Sequence, residues 1–566
     1  MRKVRKGQAM SSFIVIVEAV SNGRFYIDEA LKRGYTPLVV FPPLKGEEGD
    51  GYAELRQEYA VHYPTGTEVI YACSAEDAME RLRGRDIVCV VTGSEFGVGL
   101  TDALAEALGL PGNPVSSSPD RRDKKRMQDA LKRAGVRHIR SETVMSVSEA
   151  LRFREEIGGG RLVLKPRAST GTNGVHFCDT AEQTRFCFDK IMSSSDFFGT
   201  ENSDVLVQEF IAGTEYIVNT ASSNGIHRVT DMWVYNKIAI GEEGNAYDYG
   251  RLITRLDPGQ SELATYIYDV LDALGFRYGP GHGEVMMGPD GPVLIEIGAR
   301  PMGGGFSRDL LDECLGHHLV DAALDCYLEP ERFEEARLAP YRPRKEFMIK
   351  YFISPKDALV RAVPMMAFVR HFPSFVRGNF AEMLGTDRIT RTVDLFSAPG
   401  NIQLCHEDEA VLMRDYNILR WLEQNAFSLL FEAERGERPP SPAKTGPADL
   451  PADMGPDAFV LTDSPEGLPG ELTVVTPDTL AGLGGGFGSG LFLVRNAPGM
   501  EETLSLFHDF AGKLRPGGKI YVAPESYEGF PYGRMGIELM MRICGVRVEL
   551  PLYRGGGLLT GTVKQR

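Results

Sequence analysis

Glu284 and Glu296 each stand six residues from Asp290, one on either side of it. The run Gly281-His282-Gly283-Glu284-Val285-Met286-Met287 meets the turn signal Gly288-Pro289-Asp290-Gly291. Pro292-Val293-Leu294-Ile295-Glu296-Ile297-Gly298-Ala299-Arg300 leaves it. Two apolar runs around such a turn read as a β-hairpin. Symmetric pairing sets the two glutamates opposite or nearly opposite, where Cβ atoms are ~4.5–5.5 Å apart and like charges repel. Protonation of one carboxylate or a bound divalent cation resolves the conflict, and carboxylates on rigid strands suit Mg²⁺, which adds substrate phosphates as ligands. Arg300, four residues on, is placed to hold a phosphoryl or carboxylate group bidentately. His282 shares a strand face with Glu284 and is a candidate substrate contact.

Three further segments offer places for a nucleotide. Arg121-Arg122-Asp123-Lys124 opens an amphipathic helix, and 41 residues after Lys124 comes Lys165 at the end of the apolar strand Arg161-Leu162-Val163-Leu164-Lys165. An unpaired ammonium in such a strand costs several kcal/mol, so Lys165 needs an anion, and a nucleotide phosphate would serve. Directly after it, Ala168-Ser169-Thr170-Gly171-Thr172-Asn173-Gly174-Val175 is small and glycine-rich, suited to closing backbone N–H groups over phosphate oxygens. It lacks the Gly-Lys-Ser/Thr of a Walker A loop. The strand Val205-Leu206-Val207-Gln208-Glu209-Phe210-Ile211 then runs into a connector that offers backbone groups to an adenine edge, with Glu215 placed for ribose hydroxyls.

These side chains need elements to hold them. At ~150 residues per domain, 566 residues make three to four domains. With 62 Lys and Arg against 78 Asp and Glu, the net charge of −16 disfavours extended binding to nucleic acid or anionic lipid. No stretch approaches the ~20 apolar residues of a membrane helix, and the basic start lacks the apolar core of a secretory signal. The eight cysteines form no C-x-x-C pair and read as reduced thiols of a cytoplasmic protein.

The expected fold class is α/β. Residues 13–17, 37–41, 67–71 and 86–91 are predicted strands that alternate with helices near 24–33 and 75–83, the pattern of a doubly wound parallel sheet. Its working edge carries Ser21-Asn22-Gly23 and Thr92-Gly93-Ser94-Glu95. Longer helices mixed with strands follow from Pro119 to about 330, and a helical, loop-rich stretch runs to about 434. Residues 435–453 are dense in Pro, Ala, Gly and charge and read as a linker. Beyond it, strands are predicted at 491–498 and 519–523, with a helix at 501–513 and a turn at 514–518. The expected domains are thus 12–118, 119–330, 331–434 and 454–566.

Taken together, the two lysines, the small-residue loop, the strand-end segment and the paired carboxylates followed by arginine resemble the ATP-grasp ligases, over roughly residues 12–434. Gly93-Ser94-Glu95-Phe96-Gly97-Val98, Leu108-Gly109-Leu110-Pro111-Gly112-Asn113 and Arg121-Arg122-Asp123-Lys124 look most like the L-amino-acid (dipeptide) ligase branch. The resemblance implies a pre-ATP-grasp sheet, an α+β ATP-grasp domain and a C-terminal subdomain. It implies ATP and Mg²⁺, with Mn²⁺ as a substitute. Lys124, Lys165 and the loop at Ser169, Thr170, Gly171 and Gly174 would contact phosphates, Glu209 and Ile211 would lie by the adenine, and Glu215 by the ribose. Glu284 and Glu296 would hold the metal, Arg300 would stabilise an acyl phosphate, and His282 would face substrate.

The implied partners are a small-molecule carboxylate and an amine, with no nucleic acid and no membrane; a homo-oligomer is compatible with all of this. Carrier-protein thiols or alcohols are alternative acceptors, and a degenerate ATP-binding scaffold is the non-enzymatic alternative. One departure stands out: where many members read Glu-x-Asn-x-Arg, this chain has Gly298. The last 110 or so residues resemble the later half of a class I methyltransferase fold. They have no good counterpart of its cofactor loop, since Gly482-Leu483-Gly484-Gly485-Gly486 precedes the wrong strand. A non-catalytic docking or oligomerisation domain is expected there.

Overall fold

The computed structural model describes residues 12–43, 49–166, 174–194, 202–240, 245–255, 258–303, 307–363, 365–379, 388–395, 397–425, 432–433, 454, 457–462, 473–493, 500–522, 541, 546–548 and 559–563. Ser169, Thr170, Gly171 and the linker at 435–453 lie outside them. The chain divides into two compact units, 1–349 with 393–398, and 350–392 with 399–566. No helix among the described residues is long and apolar enough to cross a membrane.

The first unit begins with a parallel sheet of β1 (Phe13–Val17), β2 (Thr36–Phe41), β3 (Glu68–Tyr71) and β4 (Ile87–Thr92), in the order β3-β2-β1-β4. Helices α1 (Phe25–Lys32), α2 (Gly49–Val61), α3 (Ala75–Leu82) and α4 (Val98–Leu108) connect and flank it. β1, β2 and β4 are buried on both faces, so they read as unbroken apolar runs rather than alternating ones, whereas the edge strand β3 exposes Glu68 and Tyr71. Ser21-Asn22-Gly23, read as a turn, is the start of a 3₁₀ turn over Ser21–Arg24. The glycines of this edge have a packing reason. A Cβ on Gly23 would lie 2.3 Å from the Gly93 carbonyl oxygen, and one on Gly93 would lie 2.3 Å from that of Glu18.

Next come α5 (Lys124–Ala134), capped by the Asp123 carboxylate on the N–H groups of Lys125 and Arg126, and an antiparallel sheet. It comprises β5 (Ser141–Val144), β6 (Leu162–Lys165), β7 (His176–Cys178) and β8 (Val205–Glu209), in the order β5-β8-β6-β7. Helices α6 (Val147–Glu156) and α7 (Ala181–Met192) cover it. A second antiparallel sheet carries β9 (Thr214–Ser223), β10 (Ile226–Ala239), β11 (Asn245–Leu252), β12 (Gly279–Gly288) and β13 (Gly291–Gly298), in the order β13-β12-β9-β10-β11. Helix α8 (Pro258–Ala273) packs Leu263, Ile267, Val270 and Leu271 into its core. A Cβ on Gly283 would meet Ile267 Cδ1 at 2.8 Å, which accounts for a glycine beside His282.

In the second unit, Thr473–Val475, Ala458–Thr462, Phe487–Leu493 and Leu514–Val522 lie side by side in that order, all parallel. Leu559–Val563 pairs antiparallel to Leu514–Val522, and Val546–Val548 pairs antiparallel to Leu559–Val563. Helix Met500–Gly512 sets Phe507 and Phe510 against Phe492, and Phe510 also against Phe459. The expected turn at 514–518 is instead part of a strand. Leu514 pairs with Phe487 and Lys519 with Ser489, so Arg515-Pro516-Gly517-Gly518 bulges out of the ladder. The strand expected at 491–498 starts earlier, at Phe487. Gly490 lies inside it because a Cβ there would meet the Phe510 ring at 2.9 Å.

One buried cation ties the first elements together. Arg121 is fully buried; it donates to Asp102 at 2.6 Å, to Ser117 Oγ at 2.6 Å and to the Leu274 carbonyl at 3.1 Å. It joins α4 to the segment that ends α8. Arg121→Ala strands Asp102 as a buried, unpaired carboxylate, so unfolding free energy should fall by about 3–5 kcal/mol in denaturant titration.

Candidate active site

A cavity of about 390 Å³ lies between the two antiparallel sheets. Val163, Lys165, Phe177, Gln208 and Glu209 come from one sheet; Glu215, Tyr235, Lys237, Tyr247, Glu284, Met286, Ile295 and Glu296 come from the other, and Lys124 reaches in from α5. Lys124, Lys165, Glu209, Ile211, Glu215, Glu284 and Glu296 all line it. Gly174 has φ 71° at the end of the segment outside the described residues.

The hairpin places Glu284 directly opposite Glu296, by a route that symmetry about Asp290 does not capture. The turn is Pro289-Asp290, closed by Gly288 opposite Gly291, and that register alone would pair Glu284 with Ile295. A bulge between Glu284 and Val285 in the ladder moves the partner on by one residue to Glu296.

Electrostatics follow from this pairing. Burial, then the charges of Glu296 and Glu215, push the Glu284 carboxyl up to about 8. Burial acts the same way on Glu296, but Lys124 at 2.8 Å, Lys165 and Arg300 outweigh it and hold that carboxylate down at about 2. Lys165 is only 5% exposed, and its ammonium makes no hydrogen bond or ion pair among the described residues. Burial and the neighbouring Lys124 lower its amine to about 8.

At the other end, Glu209 spends one carboxylate oxygen on the Arg140 N–H at 2.8 Å. Glu215 is paired with Lys237 at 2.7 Å, whose ammonium sits 4.4 Å from the Tyr247 ring centroid. Val163, Phe177 and Met286 give this end apolar walls.

Arg300 and His282 do not line the cavity but adjoin it. Arg300 Nε lies 3.6 Å from Glu95, from the loop after β4. His282 is buried, with Nε2 3.9 Å from Glu284. Its Nδ1 is 2.8 Å from Asn219 Oδ1, while Asn219 Nδ2 donates to Asp231 at 2.6 Å. Asp231 is fully buried and also accepts from Trp233 Nε1 at 2.5 Å and Thr230 Oγ1 at 2.9 Å. A carboxylate only accepts, so the Asn219 nitrogen must face Asp231 and its oxygen must face His282. That puts the imidazole proton on Nδ1 and leaves the Nε2 lone pair toward Glu284. Burial, reinforced by Arg300, holds the imidazole well below its usual range, so it is neutral at pH 7.

Residues 160–309 match the ATP-grasp domain family. The chain is 31% identical over 425 residues to dapdiamide A synthase of Enterobacter agglomerans, covering 74% of this chain and 97% of that protein. The chain belongs to the ATP-grasp ligases. Over 102 residues, 18% of this chain and 21% of its relative, it is also 30% identical to alanine–anticapsin ligase of Bacillus subtilis (strain 168). Its fold is that of the L-amino acid ligase from Bacillus licheniformis, with TM-score 0.55 and 19% identity over 72% of this chain and 97% of that one.

Within this ATP-grasp ligase, the Gly298 departure has a local cause. A Cβ there would stand 2.9 Å from Glu95 Oε2 and 3.2 Å from Arg300 Nε, so the missing side chain leaves room for the Glu95–Arg300 approach. Sequence reasoning missed Lys237, Asn219 and Asp231. Lys237 ends an alternating strand and reads as a solvated charge, and nothing local distinguishes Asn219 or Asp231 from ordinary strand polar residues. Glu95 lay in a segment singled out for the working edge without a role of its own.

The Asp231–Asn219–His282 chain makes a direct prediction. Asp231→Asn frees the Asn219 amide to turn over and present N–H to His282, so the ring proton should move from Nδ1 to Nε2. ¹⁵N chemical shifts of labelled histidine report this; an unchanged tautomer would refute the orienting role.

Proposed function

We propose that this ligase condenses the carboxylate of one amino acid with the amine of another through an acyl phosphate, releasing ADP and phosphate. The observation that carries the reading is Lys165: a buried ammonium with no ion pair among the described residues, beside two carboxylates forced opposite one another. Such a cluster is electrostatically incomplete, and it is completed by a nucleotide polyphosphate together with a divalent cation. Its likeness to dapdiamide A synthase and alanine–anticapsin ligase supports amino acids as the substrate class.

The residues fit these roles. Val163, Phe177 and Met286 form the apolar slot for the base, where Ile211 lends backbone groups, and the Glu215–Lys237 pair faces the sugar. Because its carboxylate is held by Arg140, Glu209 contributes position rather than a free side chain. Lys124 and Lys165 neutralise phosphate oxygens, a task for which Lys124 must exchange Glu296 as partner. Glu284 and Glu296 would hold Mg²⁺ or Mn²⁺, whose charge, when bound, offsets that of the transferring phosphoryl group. The segment holding Ser169, Thr170 and Gly171 is assigned to cover the phosphates and keep water from the intermediate.

In the first step a substrate carboxylate oxygen attacks the γ-phosphorus and ADP leaves. In the second, the amine nitrogen attacks the acyl carbon, phosphate leaves and the amine loses a proton. Arg300 is assigned to the acyl phosphate oxygens. Neutral His282, its Nε2 facing Glu284, is assigned to face the substrate.

Two sets of outcomes test this. Glu296→Gln and Arg300→Ala should each abolish product formation while the fold survives, read as ADP release and product mass over a matrix of paired amino acids; normal turnover in either variant removes its assignment. Cation affinity should also depend on pH. A proton on Glu284 competes with the metal, so below about pH 8 the apparent affinity for Mg²⁺ with a non-hydrolysable ATP analogue should fall by about tenfold per unit. A flat profile by calorimetry would exclude Glu284 as a ligand.

A further inference from the structure

A second cavity, of about 310 Å³, opens elsewhere in the first unit. Arg228, Arg337, Arg342 and His317 line it together with Tyr268 and Tyr341, and no aspartate or glutamate does so among the described residues. In a chain of net charge −16, a cavity with three arginines and no acid is an unusual concentration of one sign.

Arg228 is the decisive side chain. It is 5% exposed, its Nε is buried without a hydrogen-bond partner, and no ion pair reaches its guanidinium among the described residues. The Phe333 ring centroid lies 5.9 Å from its guanidinium carbon. The acids that feel its field, Asp325 and Asp321, are already engaged: Asp325 with Arg33 at 2.8 Å and Arg332 at 3.2 Å, Asp321 with Arg332 at 3.2 Å. Arg337 is paired with Glu334 at 2.5 Å. His317 donates through Nε2 to the Thr230 carbonyl at 3.1 Å, which orients its ring on the cavity wall.

A guanidinium withdrawn from water and left unbonded is costly unless something supplies acceptors. Tyr268 and Tyr341 make the wall rigid, because their hydroxyls accept the N–H groups of Val229 and Met232 at 3.1 Å each, so the wall does not collapse onto the arginine. The volume suits a small metabolite rather than a polymer.

We propose that this cavity is a second ligand site, separate from the nucleotide cavity, that binds a small oxyanion, a carboxylate- or phosphate-bearing metabolite, through Arg228 with Arg337 and Arg342 at its rim. Arginine suits this role because its planar fork matches carboxylate and phosphate geometry.

Calorimetric titration of the full-length protein, saturated beforehand with ADP, uses citrate in one arm and inorganic phosphate in the other. At least one anion should bind saturably, and the arm that responds separates a carboxylate ligand from a phosphate one. Arg228→Met, which keeps the stem and removes the charge, should weaken that binding by roughly thirtyfold or more, with ADP affinity unchanged. If that variant does not fold, the double change Arg337→Ala and Arg342→Ala at the rim should cost about tenfold. No saturable binding of either anion, or equal binding by wild type and variants, would overturn the site.

Discussion

The arrangement of this ligase depends on one unfavourable contact: two carboxylates opposite one another on neighbouring strands. Glu284 and Glu296 face each other because a bulge corrects the hairpin register by one residue. Their repulsion is divided unequally. Lys124, bonded to Glu296, keeps that side ionised, while Glu284 carries the burden as a raised pKa. The surrounding cations answer this charge: Lys165 is buried next to it, and Lys237 is tied to Glu215 further along the cavity. A site in which each charge is only partly compensated is suited to a charged ligand such as a nucleotide.

The parallel sheet of the first unit contributes to this centre as well. Its strand-end loops bring Glu95 to Arg300, and Asn22 Nδ2 donates to the Met302 carbonyl at 2.6 Å. Gly23 and Gly93 permit close approach of backbones at this edge, and Gly298 leaves room for the Glu95 and Arg300 side chains. Gly298 is therefore more than the loss of an asparagine: its missing side chain is occupied space. Buried Arg121 ties α4 to the segment that ends α8 within the same unit.

Much of this was legible from residue types and spacing. Apolar runs separated by helical periods marked the parallel sheet, because strands covered on both faces cannot alternate. Lys165 betrayed itself by ending an apolar strand, and the two glutamates by their spacing about a turn. Within the glycine-rich run at 482–490, packing against Phe510 explains Gly490.

What the amino-acid order determined by itself was local: which segments are strands or helices, where the turns fall, and which charged residues sit in places too apolar to be solvated. What only the tertiary structure decided was pairing across distance. That Asp231 orients Asn219, that Asn219 selects the His282 tautomer, that Lys237 pairs with Glu215 and that the buried Arg228 Nε finds no hydrogen-bond partner among the described residues all depend on side chains far apart in the chain or on facing strands. Hydrogen bonds and ion pairs act over a few ångströms of space, and nothing in one strand's sequence states what its neighbour will present. The bulge at Glu284 shows the same limit from within a hairpin: composition predicts the two strands and their turn, but a shift of one residue is settled by how the whole sheet packs.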